Sequence, residues 1–258
     1  MSRVKIFVAT HKRYQFPEEE IYVPIQVGSS LSKDNFGYVR DDEYVDNISD
    51  KNKNYSELTA LYEIWKNPKY LNEEYIGLVH YRRYFSGKTV RFKGTDILGE
   101  NEVIKLLSQY DVIVPQKRNY VVETIYEHYK NAHFEKDILI LKDVLSEKYP
   151  DYIDSFNKLM KSRRLHLYNM FVMKRQDFES YIKWLFDVLF EVEKRVDISG
   201  YSPYQARIYG FMSERLWNVW LMKNELKRKE VKVVNIEGES MFDKAVGLLK
   251  RKFFGKKL

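Results

Sequence analysis

Cysteine is absent from the 258 residues, so disulfides and thiolate metal ligands are excluded. Proline and glycine are scarce, at 6 and 11 residues, which argues against long linkers and disordered tracts. No apolar stretch approaches the roughly 18 residues of a membrane span. The run Val4–Ala9 is too short for a signal peptide. The expectation is a cytoplasmic protein, in which the sequons at Asn47 and Asn54 have no consequence. The Rossmann GxGxxG and P-loop GxxxxGK(S/T) patterns are both missing, and with them those two ways of cradling phosphates.

What is present is a core-forming composition, 44% hydrophobic, with 16% aromatics and 21 tyrosines. The net charge of +7 has a local source, because "KRKFFGKKL" at the end of the chain supplies five basic residues and no acid. A nucleic-acid binder usually spreads its charge over a working face, so the charge is weak support for DNA or RNA. Strand and helix patterns alternate. Val4–His11, Tyr75–His80, the "YDVIVP" run and Leu165–Lys174 read as strands, and "VKVVNI" as a late one. Asn54–Asn67 reads as a helix opened by an Asn54/Glu57 capping box, with Tyr55, Leu58, Leu61, Tyr62 and Trp65 as its stripe. Helices are also expected at 101–109, 137–148, 151–161, over "FESYIKWLFDVLFEVEKRV" and over "GFMSERLWNVWLMKNEL". Such alternation predicts an α/β domain with a mainly parallel central sheet flanked by helices. Ligands of such sheets sit at the carboxyl ends of strands. That rule puts Thr10, His11, Lys12, His80, Arg82 and Arg83 on one rim.

The segment "YIGLVHYRRYF" runs a buried strand straight into His80, Arg82 and Arg83. Paired arginines at a strand end are costly to desolvate, so an anion is expected there. It is either a carboxylate such as Asp111 or Glu57, a nucleic acid, or a nucleotide diphosphate, which suits the bidentate arginine fork.

The segments "VPIQVGSS", "DNISDKNKNYSELTALYEIWKN", "YIGLVHYRRYF", "YDVIVP", "HLYNMFVM" and "YQARIYGFMSERLWNVWL" together resemble a family of bacterial capsule and exopolysaccharide glycosyltransferases, long carried as a domain of unknown function. Some relatives are similar to galactofuranosyltransferases. The resemblance implies a GT-A-like fold and transfer of galactofuranose or galactose from a UDP-sugar to an oligosaccharide or lipid-linked acceptor. In that fold Thr10 and His11 would face the nucleoside. GT-A enzymes usually hold Mn²⁺ or Mg²⁺ with Asp-x-Asp after an apolar strand; here that place is taken by "HYRR". The expectation is that Arg82 and Arg83, with His80, neutralise the diphosphate and no cofactor is needed. The alternative from another class is a noncatalytic nucleotide- or carbohydrate-binding module.

Glu214, early on a strongly apolar helix beside Arg207 and Arg215, is either a dipole-stabilising residue or the base that inverting transfer requires. It is taken as the base, with Asp197 as substitute. Asp46, Asn47, Ser49, Lys51 and Asn52 crowd a loop whose residues suit turn chemistry or sugar contacts. His166 and Tyr168 share one face of the expected strand and Asn169 the other; with Tyr204, Gln205 and Arg207 they are assigned to sugar or acceptor. Finally, 1–238 is expected to be the catalytic domain. Within 239–258, Phe242, Val246, Leu249 and Phe253 form an apolar stripe among lysines. That pattern is expected to hold the protein peripherally on an anionic membrane face.

Overall fold

The computed structural model describes residues 3–237. In chain order the elements are β1 (Val4–Thr10), β2 (Tyr22–Gln26), β3 (Val39–Arg40), α1 (Asn52–Tyr55), α2 (Leu58–Lys66), β4 (Tyr75–His80), β5 (Arg83–Phe92) and β6 (Thr95–Ile97). There follow α3 (Glu100–Leu107), β7 (Val112–Pro115), β8 (Arg118–Asn119), α4 (Ile125–Ala132), α5 (Glu135–Lys148), α6 (Ile153–Lys161), β9 (Arg164–Leu165) and β10 (Phe171–Lys174). The remainder comprises α7 (Arg175–Arg195), α8 (Ile208–Lys223), β11 (Arg228–Val231) and β12 (Val233–Asn235).

The main row of strands runs β11-β7-β10-β4-β1-β2-β3. Pairs β11/β7, β4/β1, β1/β2 and β2/β3 are parallel, and β10 alone runs antiparallel to its neighbours β7 and β4. The expected α/β domain with a mainly parallel sheet is therefore what forms. Helices cover one face, where Phe7, Ile76, Leu78, Val112, Val114, Phe171 and Met173 meet α2, α7 and α8. The other face, with Ile6, Val8, Val79, Ile113 and Val172, packs on α3, β5 and β6. Burial on both faces is why β1, β4 and β7 read as unbroken apolar runs. Gly77 lies where a Cβ would come within 2.9 Å of the Phe171 carbonyl oxygen, so the close contact of β4 with β10 requires glycine.

Several expected elements are divided. The 54–67 helix is two pieces, broken at Ser56, whose φ is +54°. Asn54 does not cap it; its side-chain amide donates to Ala206 O at 2.8 Å. The strand expected over 165–174 is split into β9 and β10 by a strap in which Tyr168 and Asn169 have φ of +77° and +51°. "VKVVNI" divides into β11, which extends the main row, and β12, which pairs with β5. The long β5 and the helix α4, opened by a Thr124/Glu127 capping box, were not foreseen. The tail 239–258 lies outside the described residues.

Candidate functional site

Strand β4 does not end at its arginines; it turns. His80 pairs with Arg83 across the β4/β5 ladder, so Tyr81 and Arg82 form a two-residue hairpin loop. The hairpin lies at the carboxyl ends of β1 and β4, where Tyr81 N–H donates to Ala9 O at 3.1 Å. It forms one wall of a cavity of about 440 Å³. The remaining walls are the end of β1, the α1/α2 break at Ser56 and Glu57, Tyr168 of the strap, and Arg207 and Glu214 around the start of α8.

The three non-glycine residues Ser56, Tyr168 and Asn169, all at positive φ, lie beside this cavity. Such conformations cost energy and persist where surrounding contacts over-determine them. The contacts here are specific. His80 Nε2 lies 2.6 Å from Tyr168 O. Tyr168 N–H donates to Glu214 Oε1 at 2.8 Å. Asn169 Nδ2 donates to Glu57 Oε1 at 2.7 Å. The strap therefore ties both carboxylates and the histidine into one network, and Arg83 lies over the Tyr168 ring at 4.7 Å.

Burial decides the protonation states. It pushes His80 below the usual imidazole value, against the opposing pull of Glu57 and the Tyr168 carbonyl. His80 is thus neutral at pH 7 and donates its Nε2 proton to that carbonyl. Burial likewise raises Glu214, partly offset by Arg215, whose guanidinium lies 3.2 Å from Oε2. Glu214 keeps 19% side-chain exposure, so a raised carboxylate reaches the cavity. Burial and then Arg82 lower Arg83, while Tyr168, Glu57 and Glu214 oppose the shift. At the rim, Lys12 and Arg82 share the carboxylate of Glu237, at 3.2 and 3.8 Å. Asp111, weighed as an arginine partner, instead accepts from Lys227 N–H at 2.8 Å. Among the described residues no three His, Asp or Glu side chains form a metal-binding set. The cavity wall, with Arg82, Arg83 and Arg207 against two engaged glutamates, does not fit a divalent ion.

A mainly parallel sheet with a cationic cavity at its strand ends, faced by a half-shielded carboxylate, suits an anionic ligand and a proton transfer. The profile of the family described as a domain of unknown function, DUF4422, matches residues 5–225. The chain belongs to this DUF4422 family. It is also similar to a solved structure described as the apo form of WbbM, a bifunctional glycosyltransferase, with TM-score 0.84 and 28% identity. The match covers 92% of this chain and 46% of that one, so the chain spans less than half of WbbM. No curated protein matches.

Thr10, His11, Asn52, His80, Arg82, Arg83, Tyr168, Arg207 and Glu214 line the DUF4422 chain's cavity. Thr10 is itself occupied in a turn, its hydroxyl donating to Lys12 O at 2.7 Å. His11 meets Tyr81 edge-on at 5.4 Å and is lowered by partial burial and then by Lys12, Arg82 and Arg207. Lys12 stands at the rim, and Asn169 lies buried behind Glu57.

The remaining candidates are placed elsewhere. Asp46 accepts from the Tyr62 hydroxyl and Lys66, both at 2.8 Å. Asn47 Nδ2 donates to Tyr44 O at 2.8 Å. Ser49 donates to Asp41 Oδ1 at 2.5 Å. Asp41 also accepts from the N–H groups of Gly28 and Ser29 and from the Thr59 hydroxyl, so this loop is a structural knot. Lys51 pairs with Glu193 at 2.7 Å. His166 is buried, with Nδ1 at 2.6 Å from Pro115 O. Gln205 Oε1 lies 3.0 Å from His133 Nδ1, and Tyr204 is 51% exposed. Asp197 is exposed and accepts from Ser199 N–H, apart from the cavity. Glu57, weighed in the sequence as a capping residue and as an arginine partner, is the cavity residue left out of the candidate site. The signal for it was there: a carboxylate immediately before an apolar helix, in a segment that carries the family resemblance.

Proposed function

We propose that the chain is a nucleotide-sugar glycosyltransferase that moves a hexose, galactofuranose or galactose, from a UDP-sugar to a glycan or lipid-linked acceptor in surface-polysaccharide synthesis. The observation that carries this is the opposition of Arg82 and Arg83 to Glu214 across one cavity at the carboxyl ends of β1 and β4. The likeness to WbbM supports the transferase class. In an inverting transfer the acceptor oxygen bonds to the anomeric carbon as the bond from that carbon to the β-phosphate oxygen breaks. UDP departs with the electron pair, and the acceptor proton passes to Glu214. A carboxylate whose proton affinity burial has raised is suited to take it. Arg82 and Arg83 meet the charge growing on the diphosphate, where fixed cations act most strongly. In this scheme they stand in place of a metal ion. Among the described residues no helix is long and apolar enough to cross a membrane; the basic tail is proposed to hold the enzyme at the membrane face.

A nucleotide panel tests this first. UDP should raise Tm by mass action while ADP and GDP do less, and one UDP-sugar should be hydrolysed slowly. Turnover should survive excess chelator. If UDP shifts Tm but no UDP-sugar is cleaved or transferred, the chain is a binding module; if no nucleotide shifts Tm, the cavity takes another anion.

A further inference from the structure

The two-stranded ribbon β8/β9 carries charge and apolar surface that the fold does not use. Arg118 pairs with Leu165 and Asn119 with Arg164. Lys117, Arg118, Arg163 and Arg164 are all exposed, and none of the four is ion-paired among the described residues. The acids nearby are engaged otherwise. Glu230 accepts from the backbone of Lys117. Glu127 caps α4 and feels Arg163 only at longer range, and Glu123 accepts from Asn131 and meets His128.

At the tip of the ribbon stand Val121 and Val122, 67% and 74% exposed. They are held there by a built turn. Val122 N–H donates to Tyr120 O at 2.6 Å around Val121, whose φ is +60°, and Val121 N–H donates to Asn119 Oδ1 at 3.0 Å. This is the rare, strained γ-turn, at a β-branched residue for which positive φ is least favourable. Glycine or asparagine would make the turn at less cost. Two valines this exposed bury little, so the fold gains little from the expense. Tyr120, at the foot of the tip, stacks on His128 at 3.9 Å.

We infer that this ribbon is a membrane-contact element. The valine tip enters the interfacial layer of an anionic bilayer, and Lys117, Arg118, Arg163 and Arg164 lie on its headgroups. The match is one of charge complementarity: unpaired cations flanking a small projecting apolar tip. It is independent of the tail beyond residue 238 and does not rest on the transfer chemistry.

The absence of cysteine makes the test direct, because Val122→Cys carries a single thiol for an environment-sensitive fluorophore. The full chain is mixed with vesicles of phosphatidylglycerol and phosphatidylcholine, or of phosphatidylcholine alone, at low salt. The Val122 label should shift to the blue with the anionic vesicles only, while the same label at Val45, exposed even further at 90%, should not. Lys117→Glu/Arg118→Glu/Arg164→Glu should weaken partition onto anionic vesicles by about 100-fold, from roughly fivefold per cation, and leave the UDP-induced Tm shift unchanged. The proposal fails if the charge-reversed protein binds as the parent does. It fails equally if the protein binds with the Val122 label silent, or if neutral and anionic vesicles are bound alike.

Discussion

His80 Nε2 lies 2.6 Å from the main-chain oxygen of Tyr168, a residue 88 positions away. The contact joins the end of β4 to the strap before β10 and fixes the strap's unusual backbone at Tyr168. Arg83 lies over the Tyr168 ring, so the strap in turn positions a cation of the cavity wall, the one proposed above to meet the diphosphate. His80→Ala should keep the fold, since β4 retains both its neighbours, yet weaken UDP binding by roughly tenfold, the worth of one tethering hydrogen bond of about 1–1.5 kcal/mol. Calorimetric titration with UDP checks this; an unchanged Kd would leave His80 with no positioning role.

Glu214 should separate chemistry from binding. Glu214→Gln keeps the shape and can still accept from Tyr168 N–H, but cannot take a proton. Turnover should fall by roughly 10²–10⁴-fold, with the Kd for UDP nearly unchanged. Because burial raises the Glu214 carboxyl, the base form is gained as pH rises through that raised value. Activity of the parent should therefore climb on the acid limb to a pH above the usual carboxylate range. Wild-type turnover in the glutamine variant would assign the proton transfer elsewhere, with Glu57 the next carboxylate in the cavity.

Much of the fold was readable because burial leaves a pattern. β1, β4 and β7 are apolar on both faces, and α7 and α8 are long apolar-periodic segments. What escaped was set by contacts distant in sequence. The Tyr81–Arg82 turn has neither glycine nor asparagine to announce it, so the start of β5 read as a cluster of charge and aromatics at the end of β4. Ser56, Tyr168 and Asn169 adopt positive φ with no glycine to mark the breaks, and each break redirects a side chain or carbonyl into the cavity. The strand period that placed His166 and Tyr168 on one face fails for that reason. Glu214, Arg82 and Arg83 were legible as charges stranded in apolar surroundings. The company they keep depends on the packing of α8 against the strap, 46 positions back along the chain.

Glu237 offers a test of the rim. Its carboxylate serves both Lys12 and Arg82, and Lys12 is raised first of all by this bond. On the proposed function, an incoming diphosphate competes with it for these two cations. Glu237→Gln should therefore tighten UDP binding by about two- to fivefold, the modest scale of exposed ion pairs. The gain should shrink as salt screens both partners. Weaker binding in the variant would make Glu237 a ligand contact rather than a competitor.

His166 should reveal itself in stability rather than in turnover. It is 1% exposed, and burial lowers it to about 4, though the Pro115 carbonyl and Glu230 favour its protonated form; Lys117 and Arg228 oppose that form. The unfolded chain takes up a proton at the ordinary value near 6.5, while the folded chain resists until about 4. Between those limits the unfolded state binds more protons, so stability is greatest above pH 6.5 and falls as the pH drops. His166 alone can account for up to ~3 kcal/mol of the loss, and His80, whose value is likewise lowered, adds to it in the same direction. His166→Asn retains a side-chain donor for Pro115 O but cannot be protonated. It should be less stable than the parent at pH 7, through the space it leaves, and yet lose less stability between pH 6.5 and 5. Denaturant unfolding across that range decides the matter: parallel pH profiles for the two proteins would show that His166 is not buried in its neutral form.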